Sequence, residues 1–214
     1  MLRGVRRSNN YAAIGIGSLI IFIAMILVAG MSASVIIQTM NSLEQQAMQT
    51  GTETINDISS GLKVLRINGY NSGSKINQLA IFIKTIAGSS SIDLNQAYIS
   101  LSDSSDQVIL NYDSSCYAST VSSSLFSTIN STNLTATEFG LIVIRDIDSS
   151  CLSTLPAINS DDLVVIMVNT SSCFSGLDPR VSVFGNVIPE QGISGVIGFT
   201  TPSAFVDTII ELQP

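Results

Sequence analysis

From Ser8 to Leu43 the chain carries no charged residue, and residues 12–37 (AAIGIGSLIIFIAMILVAGMSASVII) are almost wholly apolar. An apolar run this long predicts a helix that can cross a bilayer. Its 26 residues span about 39 Å as a helix, more than the roughly 30 Å hydrocarbon core. The apolar pattern continues past the run: Ile36, Met40, Leu43, Ala47, Gly51, Ile55, Ile58, Leu62 and Leu65 follow at steps of three or four. That spacing is a helical stripe. Gln45, Gln46, Glu53, Asp57 and Lys63 surround it, so the stripe needs a partner surface. Together these positions predict one helix of about 55 residues, on the order of 80 Å. Small residues recur four apart within it, Ala29 with Ala33 and Gly30 with Ser34. Such pairs let helices approach closely in an apolar medium.

Gly69, Asn71, Ser72, Gly73 and Ser74 break the pattern and predict a linker. Beyond them, short runs of β-branched and aromatic residues are separated by Ser, Asn, Asp, Gly and Pro. They predict strands near 79–86, 96–101, 107–111, 141–145, 163–168, 181–187, 195–199 and 205–212. Seven or eight short strands at this turn spacing suggest an immunoglobulin-like β-sandwich. The expected class is therefore α+β: one long N-terminal hydrophobic helix followed by an all-β head.

Charge sharpens the topology. Arg3, Arg6 and Arg7 precede the apolar run and no acid appears before Glu44, which places the N-terminus inside and the remainder outside. The run exceeds the 7–15 apolar residues of an ordinary secretory signal. From Ile76 onward 13 acids face only Lys84, Arg145 and Arg180, a net of −10. So acidic a head excludes nucleic acid as a partner. The chain contains no His, which removes the commonest general base and transition-metal ligand. No Ser-Lys pairing replaces it, so no catalytic site is expected.

Three cysteines, Cys116, Cys151 and Cys173, lie in the second half without CxxC spacing. One disulfide among them with one thiol left over, or three buried thiols, are both compatible with an extracellular head. Asn130, Asn133 and Asn169 each open an Asn-x-Ser/Thr sequon. The first two fall in the low-complexity Ser/Thr/Asn tract 114–137, which reads as an outer loop open to N-glycosylation. Asp146 with Asp148 and Asp161 with Asp162 form the pairs that could hold a hard cation such as Ca²⁺. Neither has EF-hand spacing, and solvated turn residues are the alternative.

The segment GIGSLIIFIAMILVAGMSASVII resembles the N-terminal signature of the archaeal flagellins (archaellins), and the tail IGFTTPSAFVDTIIELQP resembles the end of that family. The resemblance implies a short basic leader, removed on the cytoplasmic side by a prepilin-type peptidase. Aligned on Gly15-Ile16-Gly17, the cut falls between Ala12 and Ala13. A cut after Gly4 would match the family's basic-Gly preference but leave Arg6 and Arg7 at the head of a helix bound for an apolar core. Burying them unpaired is costly, which favours Ala12. Bacterial type IV pilins carry a glutamate at the fifth mature position, here Gly17.

The implied organisation is a leader over 1–12, a polymerisation helix over 13–68, a linker over 69–75 and an extracellular head over 76–214. The implied function is that of a non-enzymatic subunit of a rotating archaellum filament on the cell surface. Its precursor would sit in the cytoplasmic membrane. The implied partners are further copies of the chain, paralogous flagellins, the peptidase, the assembly machinery and N-glycans. An archaeal adhesion pilus subunit, or a membrane-anchored extracellular binding module, is the competing reading.

Overall fold

The structure, a computed structural model, describes the backbone of residues 10–214 and the side chains from Ile14 onward. The expected leader and its Ala12–Ala13 junction lie outside the described side chains. Two units divide the chain, one ending at Thr52 and the other Glu53–Pro214.

The first unit is a single element. Helix α1 runs Asn10–Ser59, its last residues already belonging to the second unit. Every side chain from Ile14 to Ile55 is exposed, so nothing in this unit covers the apolar run. Three of its hydroxyls turn back on the helix itself: Ser18 Oγ donates to the Gly15 carbonyl, Thr39 Oγ1 to Ile36 and Thr52 Oγ1 to Met48. Bonds of this kind satisfy those three donors within the helix, so that they do not oppose burial in an apolar medium.

The helix stops nine residues short of the expected 68. The Ser60 amide donates to the Asn56 carbonyl, and the chain then turns into strand β1, Leu62–Asn71. Leu62 and Leu65 therefore leave the helical stripe. Leu62 is buried in the sheet core, while Leu65 stays partly exposed. The cause is local. Ser60 and Gly61 are pinned by neighbouring loops: the Ile193 amide donates to Ser60 O, the Leu62 amide to Ile193 O and the Ile86 amide to Gly61 O. A Cβ at Gly192 would lie 2.3 Å from Ser60 O, and its φ is +91°, so only glycine fits this clamp. The expected linker over 69–75 is likewise replaced. Its first three residues end β1, and the remainder is the tight turn into β2, Ile76–Thr85.

The second unit is strand-rich. After β1 and β2 come β3 (Ile92–Asp93), β4 (Tyr98–Ser102), β5 (Gln107–Ala118), β6 (Glu138–Arg145), β7 (Ala157–Ile158), β8 (Leu163–Asn169), β9 (Ser182–Ile188), β10 (Gly195–Thr200) and β11 (Ile209–Gln213). Two short helices, α2 (Leu125–Thr128) and α3 (Thr170–Phe174), interrupt them. Nine strands form one sheet in the order β10-β9-β4-β5-β6-β8-β2-β1-β11, while β3 and β7 pair separately. The two ends of the sheet curl toward one another, and the Gly198 amide donates to Gln213 Oε1 across the seam at 3.0 Å. The head is thus a nearly closed sheet whose opposed walls share one core. Leu79, Ile81, Phe139, Leu141, Ile166, Ile99 and Val187 are among its fully buried members.

All neighbouring strands in the large sheet run antiparallel except β5 and β6. A parallel pair needs a crossover, and here residues 119–137 supply it across the outer face of the sheet. Phe126, Ile129 and Leu134 from that segment bury Ala80, Phe82, Cys116, Ile142, Val165 and Met167 beneath them. Strands β2, β6 and β8 are therefore covered on both faces, which explains why they read as continuous apolar runs rather than alternating ones. Arg66 completes the cover, its guanidinium 4.1 Å from the Phe82 ring centroid.

Because β1 pairs with both β2 and β11, the head begins before residue 76. A fragment starting at Glu53 should unfold cooperatively in urea. One starting at Asn77 lacks β1, strips β11 of its partner, and should show no cooperative transition by circular dichroism. Equal midpoints for the two would contradict this boundary.

Candidate assembly surfaces and cation centre

The surface of α1 has the composition of a core and the exposure of a surface. Ile21, Ala24, Met25, Val28 and Ala29 form an exposed apolar stripe along it. Gly15, Gly17, Gly30 and Gly51 also lie in this helix, and a Cβ built on any of them meets nothing within 4 Å. Glycine costs a helix roughly 1 kcal/mol relative to alanine, and nothing among the described residues accounts for that cost four times over. Glycines on a helix surface are the residues that let a second helix approach closely. Gly30, Ala33 and Ser34 all sit on this element, with exposed side chains at Ala33 and Ser34.

The sequons separate into two kinds. Asn130 and Asn133 are exposed on the crossover segment. Asn130 Oδ1 accepts the Thr132 amide, initiating the 3-10 turn Ser131–Asn133. Asn169 is only 7 % exposed. Its Nδ2 donates to the Ser131 carbonyl at 2.7 Å and to Leu134 at 3.3 Å, while Oδ1 caps α3 by accepting the Ser171 and Ser172 amides. The amide nitrogen a glycan would need is already committed to holding the crossover segment onto the sheet. The expectation for Asn169 as an acceptor is corrected here: it is a structural cap.

All three cysteines are free thiols, so the disulfide alternative is not realised. Cys116 points to the outer layer under Phe126, whereas Cys151 packs in the inner core, and the sheet stands between them. Burial raises all three thiols, Cys151 to about 12 and Cys173 to about 11. At neutral pH they behave as small hydrophobes.

The acidic pairs regroup. Carboxylate oxygens of Asp146, Asp148 and Asp162 lie within 4.8 Å of one another, while Asp161 is exposed and offers only its carbonyl, to Arg145 Nε at 2.7 Å. Asp162 is 1 % exposed. Backbone amides orient the set: Ser150 and Cys151 donate to Asp146, Ile147 and Asn159 to Asp162. The Asn159 side chain donates to Asp148. Each oxygen keeps a second lone pair. Oxygens held this close suit a cation taking ligands at 2.3–2.6 Å, the Ca²⁺ range. Asp148 is held below the usual carboxylate range by the Ser150 hydroxyl and amide. The loop bearing this cluster is clasped from β5, with the Tyr112 and Tyr117 hydroxyls donating to the Ser153 and Cys151 carbonyls. A cleft of about 440 Å³ opens beside it, bordered by Tyr117, Arg145, Asp146 and Cys151. The sequence missed the grouping of Asp162 with the earlier pair because β7 and the turn before β8 bring them together.

An apolar helix with unexplained glycines, followed by a head that closes its own core, defines a subunit made to associate through its N-terminus. The archaeal-type flagellin family model matches residues 12–199. Flagellin B2 of Methanocaldococcus jannaschii is 46 % identical over 205 residues, covering 94 % of each chain. Flagellin B5 of Pyrococcus abyssi is 40 % identical over 218 residues, covering 94 % of this chain and 98 % of its own. The crystal structure of archaeal flagellin FlaB1 from M. jannaschii matches 72 % of this chain and 97 % of its own, with a TM-score of 0.66 at 32 % identity. The chain belongs to the archaeal flagellins. The archaeal flagellum of Methanospirillum hungatei shares the fold across 94 % of this chain, with a TM-score of 0.66 at 15 % identity.

Proposed function

We propose that this chain is an archaellin, the structural subunit of an archaellum filament for swimming motility, and that it polymerises through α1. The observation that carries the reading is the uncovered apolar surface of α1 with four glycines that face nothing among the described residues. Before assembly that surface rests in the cytoplasmic membrane. In the filament it is buried by the same helix of other copies, alone or with paralogous flagellins, while the acidic heads stay in water. The precursor loses residues 1–12 to a prepilin-type peptidase, and the assembly machinery then extracts it from the bilayer. The subunit carries no catalytic activity. Asn130 and Asn133 are its glycan acceptors, and their exposure supports that role. Asp146, Asp148 and Asp162 hold a hard cation such as Ca²⁺, tying the loop after β6 to the start of β8.

Peptide mass spectrometry of native filaments should find a mature N-terminus at Ala13 and sugar on Asn130 or Asn133, with Asn169 bare. Retention of Arg6 and Arg7 would contradict the cleavage register, and a glycan on Asn169 would contradict its capping role.

Filaments stripped with EDTA should have heads that melt at a lower temperature and recover with millimolar Ca²⁺. A ligand at 100 times its dissociation constant adds about 2.7 kcal/mol. Recovery that persists in Asp162→Asn would place the cation elsewhere.

Gly30→Leu should leave membrane insertion intact and abolish filaments. Overpacking costs about 1–3 kcal/mol per site, and a polymer repeats it at every subunit. Electron microscopy beside membrane fractionation reads both outcomes, and normal filaments from the variant would remove Gly30 from the packing surface.

A further inference from the structure

The outer surface of the head's sheet has two unlike halves. Over β2, β8 and β6 it is roofed by the crossover segment that displays Asn130 and Asn133. Over β10, β9, β4 and the start of β5 it is bare. The outward positions there alternate regularly with core positions, and none of them is charged from Gln107 to Asn111 or on the other three strands. Large apolar groups stand in the open: Phe184 is 59 % exposed and Val196 66 %, with Tyr98 and Ile109 beside them. The strand register places Phe184 opposite both Ser102 and Gly198. A Cβ at Gly198 would meet nothing within 4 Å, so no neighbour in the chain requires that glycine. Glycine inside a strand weakens it and marks a close approach by something else.

An uncharged face of this extent is unexpected on a head with 13 acids and three cations after residue 75. Copies of such a head repel one another, and an uncharged face is where they can meet. We propose that this face is a head-to-head interface whose occupant is the β6–β7 loop of a neighbouring copy in the filament. The inference rests on the filament reading above and deepens it. A helical polymer needs heterologous contacts, in which each subunit presents two different patches. The second patch is the loop between Arg145 and Ala157, where Ile147 is 69 % exposed and Leu152 and Leu155 project alongside. That loop is held in shape by the Tyr112 and Tyr117 hydroxyls and by the Asp146, Asp148 and Asn159 bonds. Little ordering entropy is therefore lost when it docks. Its aspartates meet an uncharged surface, so docking brings no like charges together. The sequon-bearing half stays turned away, leaving room for glycans.

The test is disulfide cross-linking in assembled filaments, with the unmutated chain and its native Cys116, Cys151 and Cys173 as the background control. Phe184→Cys combined with Leu155→Cys should give, on mild oxidation, a ladder of covalent dimers, trimers and longer species, and neither single variant should. Filaments of the double variant that yield no ladder would overturn this interface while leaving the filament reading intact. Dimers from Phe184→Cys alone would overturn it as well, because they report a face meeting its own copy. Unmutated chains that form no filament would instead overturn the filament reading. If the first pair does not assemble, Val196→Cys with Ile147→Cys is read by the same outcomes.

Discussion

Among the described residues nothing covers the apolar surface of α1, and that constraint governs the protein. Leaving the side chains of Ile14 to Ile37 in water forfeits roughly 25 cal/mol for each Å² of apolar area they could bury. Two environments relieve this, a bilayer or a bundle of the same helices. Length and apolarity satisfy the bilayer, since the helix is long enough to cross one. Glycine placement speaks for the bundle. Lipid chains conform to any side-chain profile, so a bilayer gives no return on the helix stability lost at Gly15, Gly17, Gly30 and Gly51. A neighbouring helix would, because a glycine lets another backbone approach.

The head is arranged so that it needs no help from the helix surface. Its sheet curls until β10 meets the region of β1 and β11, which leaves little open edge. The crossover segment seals the outer layer of the central strands, and Asn169 fastens that segment down from the end of β8. A closed, acidic and well-packed head can be exported, stay soluble and survive beside many copies. Polymerisation and folding are thereby separated. The helix supplies association, and the head supplies an autonomous fold with one uncharged face.

Much of this was legible from local patterns. The charge gap and the steps of three and four locate α1 as far as Ile58, because exposed helix and apolar medium leave nothing to override periodicity. Seven of the eight strands read from 79 onward fall largely on observed strands, since turn residues bracket each one, whereas of 205–212 only 209–212 is strand. The reading failed at β1. Leu62 and Leu65 continue the helical spacing by coincidence, and the clamp on Ser60 and Gly61 that ends the helix comes from residues 86 and 193. The same blindness to distant contacts hid the parallel β5–β6 pair, the burial of Asn169, and the company Asp162 keeps. Cys116 and Cys151 show it too, since only the sheet reveals that they occupy opposite faces.

Helical reconstruction by electron cryomicroscopy of filaments assembled from this chain tests the central claim most directly. The expected result is α1 helices packed against one another along the filament axis. Gly30, Ala33 and Ser34 should lie at helix–helix contacts, and the heads outside in solvent. Filaments joined through the heads alone, with α1 unpacked or still surrounded by lipid, would contradict it.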